Sequence, residues 1–274
     1  MFPTSPTTAI LHTPENPSSA DSSISREQGD WAAGIPAKLL EGFTRAEGLS
    51  APPWLLAALV AGAALVSIPR GSWRWFGLFV TFVHEIGHAF AALSAGHRIK
   101  GIELRFDHSG QMRSLGRGGF GAVWAGFWGY PVPALTGAVL IWAAVQGWAP
   151  AALSAGVLVL ALSLLFIRNL QGIAIAAGCS AASVFLLWWT SAATASYAVV
   201  ALGIGLVVGG VRDWLNLLGV HTRRRHALPS SDAWILARQT GVPAALWLGA
   251  FAVIIAACAF ASGWLLVSQG QDPR

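Results

Sequence analysis

The chain has 274 residues, 55% of them hydrophobic and only 11% charged, with fourteen tryptophans and a mean hydropathy of +0.59. Soluble domains carry about 25% charged residues, so a water-soluble globular protein is excluded and a polytopic membrane protein is implied. The formal charge of +5 does not indicate a nucleic-acid partner, because the basic residues fall in loops between apolar runs, where they set topology and meet anionic lipid.

Residues 1–30 are rich in Ser, Thr and Pro and lack an apolar core, the composition of a disordered tail rather than of a secretory signal. Residues 31–274 read as a single transmembrane domain. Trp31 to Ser50 suits a short amphipathic helix with Lys38 and Arg45 towards the headgroups. Apolar runs then predict spans at 53–69, 73–95, 120–146, 150–167, 171–190, 195–218 and 242–267. The first is short for a crossing, and Pro131 and Pro133 are placed to kink the third. The fold class is an all-α polytopic membrane bundle of six or seven transmembrane helices with a small cytoplasmic-side β-hairpin. If all seven runs cross, fourteen of the 17 basic residues collect on one side, leaving Arg70, Arg74 and Arg274 on the other. By the positive-inside rule the rich side is cytoplasmic, which makes this a multi-pass protein of the cell membrane with a cytoplasmic amino terminus. Cys179 and Cys258 lie within apolar runs and read as small packing residues.

The second run contains His84-Glu85-Ile86-Gly87-His88. On a helix, residues i and i+4 share one face, so His84 and His88 can grip one metal ion while Glu85 stands beside its open position, able to take a proton from water. Ionisable groups in an apolar span are expensive and mark functional sites. After this run, Ile102, Leu104 and Phe106 alternate with Gly101, Glu103 and Arg105, a turn cluster follows at 107–110, and 111–113 alternate again. That pattern predicts a hairpin at the cytoplasmic mouth of the histidine-bearing helix. A strand there, at 99–106, can hold an extended substrate through Gly101, Ile102, Glu103 and Leu104 by strand addition.

A catalytic zinc takes three protein ligands and one water. Among the acids, those outside the tail and pre-bundle segments and on the predicted cytoplasmic side are Glu103, Asp107, Asp213 and Asp232. Asp232 follows Pro229 and Ser231 at a helix start, where a capping role is the plainer alternative, and Asp213 has Arg212 as a neighbour for an ion pair. His97, His108, His221 and His226 fall in or beside polar loops, where histidines are usually solvated; His108 at the hairpin tip is the one placed to approach the site. Asn169, interrupting the apolar run after Arg168, is a candidate for helix capping or for orienting backbone near the site.

The HEIGH sequence in a span, the Gly-containing hairpin and the later Ser231-Asp232-Ala233 at a helix start resemble the site-2 protease family of intramembrane zinc metalloproteases, in a compact, divergent Ser-Asp-Ala form. The likeness covers 73–118 and 205–267. It departs at Ala233, where the family has Gly, and in lacking the Asn-Pro that usually precedes the motif. The resemblance implies Asp232 as the third zinc ligand, Glu85 as the catalytic base, Zn2+ as cofactor, and a transmembrane or juxtamembrane protein as substrate, cut in the lipid bilayer. The competing class is a zinc-binding membrane protein without turnover: a transporter, a sensor or a protease-like scaffold.

Overall fold

A computed structural model describes residues 34 and 36–269; the Ser/Thr/Pro-rich tail lies outside them. Of the amphipathic helix drawn at 31–50, 34 and 36–41 are helical among the described residues, and the chain is irregular from there to 52. The helices that follow are α1 (Pro53–Ser67), α2 (Arg70–Ser94), α3 (Phe120–Phe127), α4 (Pro131–Val145), α5 (Ala149–Ser163), α6 (Leu170–Trp189), α7 (Ala192–Thr222), α8 (Asp232–Thr240) and α9 (Ala244–Gln269). Between α2 and α3 lies an antiparallel hairpin of β1 (Arg98–Leu104) and β2 (Gly110–Leu115), and a 3-10 turn, Arg225–Ser230, joins α7 to α8. Cys179 and Cys258 are free thiols within helices.

Helix starts follow local chemistry. Proline opens α1 and α4, where its missing N–H costs nothing. Ser191 and Ser231 cap α7 and α8 by accepting from the amides of Thr194 and Trp234. Gly241, at φ 75°, ends α8 in the left-handed region that glycine tolerates. The third predicted span is broken: α3 and α4 meet at 59° across Trp128–Tyr130, because Pro131 starts a new helix instead of bending an old one. α4 and α7 cross at near backbone contact, since a Cβ on Gly137 would strike the Gly203 carbonyl.

Among the described residues four helices, α2, α6, α7 and α9, are long and apolar enough to cross a membrane, or five spans if α3 and α4 count as one. The six or seven expected from hydropathy included α1 and α5, which have 15 residues each and reach only about 22 Å against a hydrocarbon core of about 30 Å. α6 and α9 are the least buried of the long helices and turn apolar surface outward, as lipid-facing helices do.

The short α1 has a topological consequence. Ala46 N–H donates to the Gly147 carbonyl at 2.9 Å, Leu49 N–H to that of Ala144 at 3.2 Å, and Arg45 Nε to that of Gln146 at 2.9 Å. Residues 45–50 therefore sit at the α4–α5 turn, some 20 Å along α4 from its start at Pro131. From there α1 runs in the same direction as α7: Tyr197 donates to the Ser50 carbonyl and Ser67 to that of Gly205. α2 runs the same way, passing Gly205 at Phe76 and Gly209 at Val80. The two helices together make one traverse, so residues 45–50 lie at the opposite end from the hairpin base. The placement drawn from charge had put them on the cytoplasmic side with it.

The hairpin does not merely sit at the mouth of α2. It folds back along the helix, and at its tip the ring of His108, itself at φ 67°, pairs through Nε2 with the Arg74 carbonyl at 3.1 Å. β1 is pinned on both edges. β2 takes one, with Ile102 opposite Met112 and Leu104 opposite Gly110. On the other, the N–H groups of Ile102, Leu104 and Phe106 donate to the Phe166 carbonyl, Asn169 Oδ1 and Gln171 Oε1. Asn169 also returns a hydrogen bond from its amide nitrogen to the Leu104 carbonyl, and Arg168 N–H donates to that of Ile102.

In a chain with Cys179 and Cys258 replaced by Ala, the substitutions Glu47→Cys and Gly118→Cys are expected to react with a membrane-impermeant maleimide from opposite faces of sealed vesicles. Labelling of both from one face would restore α1 as a full crossing.

Candidate metal centre and active site

α2 places His84 and His88 one turn apart, with their Nε2 atoms 3.1 Å from each other and rings nearly perpendicular. α8 brings Asp232 to them from 144 residues downstream in the sequence, Oδ2 lying 3.4 Å from His84 Nε2 and 3.2 Å from His88 Nε2. These are the three groups among the described residues whose ligand atoms converge as a metal site would need.

Several contacts prepare them. His88 Nδ1–H donates to the Ala125 carbonyl of α3 at 2.8 Å, which fixes the tautomer and leaves the Nε2 lone pair free. Burial alone would raise the Asp232 carboxyl, but the imidazoles of His88 and His84 outweigh it and hold it well below the usual carboxylate range. Asp232 supplies the one carboxylate of the converging trio. Its position is set by Ser231, whose hydroxyl caps α8 and shares a 2.7 Å hydrogen bond with His221 Nε2 at the end of α7. Gly129, in the α3–α4 break, lies directly on the ligand atoms, and a Cβ there would overlap Nε2 of both histidines.

These residues fit a tetrahedral zinc ion. Ligands about 2.0–2.1 Å from such an ion stand roughly 3.3–3.4 Å apart, and the observed separations of 3.1, 3.2 and 3.4 Å bracket that spacing. The bare glycine at 129 leaves the volume an ion needs.

Glu85 is buried beside the cluster, with Gly110 against its carboxylate and the Met112 amide directed at it from β2. Met112 faces away from β1, because its partner Ile102 spends its own N–H and C=O on the α5–α6 link. The unpaired edge of β2 thus looks onto Glu85. Cluster, Glu85 and β2 line one cavity of about 850 Å³, together with Tyr130 and Asp213.

The other sequence candidates fall elsewhere. Asp213 is in the cavity wall but outside the converging trio. His108 is held by Arg74, His221 by Ser231, and His97 is packed under Gly116 and Gly121 at the hairpin base. Ile102 and Leu104 are buried, Gly101 is covered by the Arg168 side chain, and Glu103 faces the cavity with Arg113 3.7 Å away. β1 consequently has no edge left for a substrate. Asn169 begins α6 without capping it and serves as a pseudo-strand for β1. The supporting contacts of Ala125, Gly129 and His221 with Ser231 carry no sequence signal beyond Gly-Tyr-Pro at a helix break.

A helical membrane bundle with an HExxH helix, a distant aspartate converging on it and a polar cavity beside them defines a membrane-embedded peptidase class. A family model described as Peptidase M50B-like matches residues 56–262, and the chain belongs to that family, as its likeness to site-2 proteases implied. No curated protein and no solved structure matches the chain.

Two substitutions test the cradle. Ser231→Ala is expected to weaken zinc about 10- to 100-fold by loosening α8, and Gly129→Ala to abolish stoichiometric binding while the protein still folds. Competition against a chromogenic chelator reads both; unchanged affinities would remove these residues from the site.

Proposed function

We propose that this chain is an intramembrane zinc metalloprotease that hydrolyses a peptide bond in a membrane-embedded or juxtamembrane protein segment. The observation that carries the reading is the convergence of His84, His88 and Asp232 within 3.4 Å, with Glu85 beside them on the same cavity. Membership of a peptidase family supports it.

When bound by these three residues, zinc supplies a Lewis acid that polarises the scissile carbonyl and brings the pKa of water towards ~7. The chain's own groups do the rest. Glu85 accepts a proton from the attacking water and passes it to the leaving nitrogen. The His88–Ala125 hydrogen bond keeps the imidazole in the ligating tautomer. The hairpin and the broken span wall the site from lipid while leaving a polar cavity for water.

A helical substrate must unwind before its backbone can be cut. The free edge of β2, Gly110–Leu115, offers it a strand partner by main-chain hydrogen bonds, alongside Glu85. This moves the docking strand from Gly101–Leu104, whose edges are both spent, to its neighbour.

Glu85→Gln is expected to retain zinc and lose cleavage of a membrane substrate by about 10²- to 10⁴-fold, whereas His84→Ala loses both. Asp232→Ala should lower bound zinc and Asp213→Ala should not; the reverse pattern would transfer the third ligand to Asp213. Met112→Pro removes the amide that faces Glu85 from the outer edge without touching the ladder, and is expected to lower kcat/KM about tenfold, the value of one hydrogen bond, with zinc content unchanged. An unaltered kcat/KM would remove the Met112 amide from the site.

A further inference from the structure

Tyr130 stands in the break between α3 and α4, immediately after the glycine that touches the ligand atoms. Its ring meets that of His84 edge-on, with centroids 4.7 Å apart, and stacks on Phe251 of α9 at 5.5 Å and 24°. Held from two sides, the ring has little rotational freedom, and the residue lines the cavity that contains the cluster. Glu85, Asp213 and Asp232 line the same cavity. The other tyrosine of the chain, Tyr197, donates to a backbone carbonyl at 3.0 Å. Tyr130 makes no such bond among the described residues. A phenol held by its ring on the wall of the cluster's cavity, with no hydrogen-bond partner among the described residues, is a donor awaiting an acceptor.

We propose that Tyr130 is a catalytic residue that donates a hydrogen bond to the oxyanion formed when water adds to the scissile carbonyl. This assignment rests on the hydrolase reading given above. As the water oxygen bonds to the carbonyl carbon, the π pair moves onto the carbonyl oxygen and Glu85 takes the water proton. The phenol keeps its own proton and tightens its hydrogen bond as charge accumulates. When the C–N bond breaks, the oxygen's pair reforms the carbonyl, the phenol relaxes, and Glu85 delivers the proton to nitrogen. A donor placed for the charged oxygen acts on kcat more than on substrate binding.

Tyr130→Phe keeps the ring between His84 and Phe251 and deletes only the hydroxyl. In the full-length, zinc-loaded protein, kcat is expected to fall about 10²- to 10³-fold, as for loss of one oxyanion donor, with KM and zinc stoichiometry unchanged. Binding supplies a readout independent of turnover. On a Glu85→Gln background, Tyr130→Phe is expected to weaken a tetrahedral phosphinate peptide at least tenfold while leaving the amide peptide of the same sequence within twofold. Equal affinities for the phosphinate with and without the hydroxyl would overturn the assignment. So would parallel loss of both ligands or of zinc, since that describes a packing role. If wild-type protein takes up one zinc yet cleaves no better than Glu85→Gln, the hydrolase reading fails and Tyr130 loses its catalytic role with it.

Discussion

Within hydrocarbon, every polar group must find its partner inside the protein, and the architecture around His84, His88, Glu85 and Asp232 answers that demand. A helix carrying two imidazoles and a carboxylate would be ruinous facing lipid. Here α2 turns them towards a polar cavity whose walls are irregular or short backbone: the α3–α4 break, the hairpin and α8. Such backbone is tolerated at membrane depth only where it lines a cavity. The break supplies a bare glycine against the ligand atoms and the carbonyl that orients His88. The same chain feature that interrupts a span thereby builds one side of the site.

The hairpin obeys the same rule on its outer side. A two-stranded ribbon has two open edges, each a row of unsatisfied amides and carbonyls. The α5–α6 link closes one of them with a single extended turn of backbone plus the side chains of Asn169 and Gln171, matched to alternate residues of β1. The remaining edge belongs to β2 and faces Glu85. One edge is closed and the other open, on the side where the acid stands. The Asn169 carboxamide does here what a third strand would do.

The beginning of the bundle illustrates a limit of hydropathy. α1 is as apolar as any true span, yet at 15 residues it traverses only part of the membrane, and α2 continues in the same direction. Counting it as a crossing inverts the side assigned to everything before it.

The sequence by itself determined the membrane class, the element boundaries to within a few residues, and two ligands with their acidic neighbour, because these depend on composition, on apolar run length and on the fixed i, i+4 geometry of a helix. It also presented the hairpin, through its period of two around a turn cluster. Tertiary structure brings Asp232, and not Asp213, to the histidines, which spacing alone leaves open and the likeness to site-2 proteases anticipated. It decided which hairpin edge is free, because that depends on Phe166 to Gln171 reaching β1 from more than sixty residues away. And it brought Gly129 and Tyr130 to the histidines through a helix break that the prolines announced but whose 59° angle they do not set.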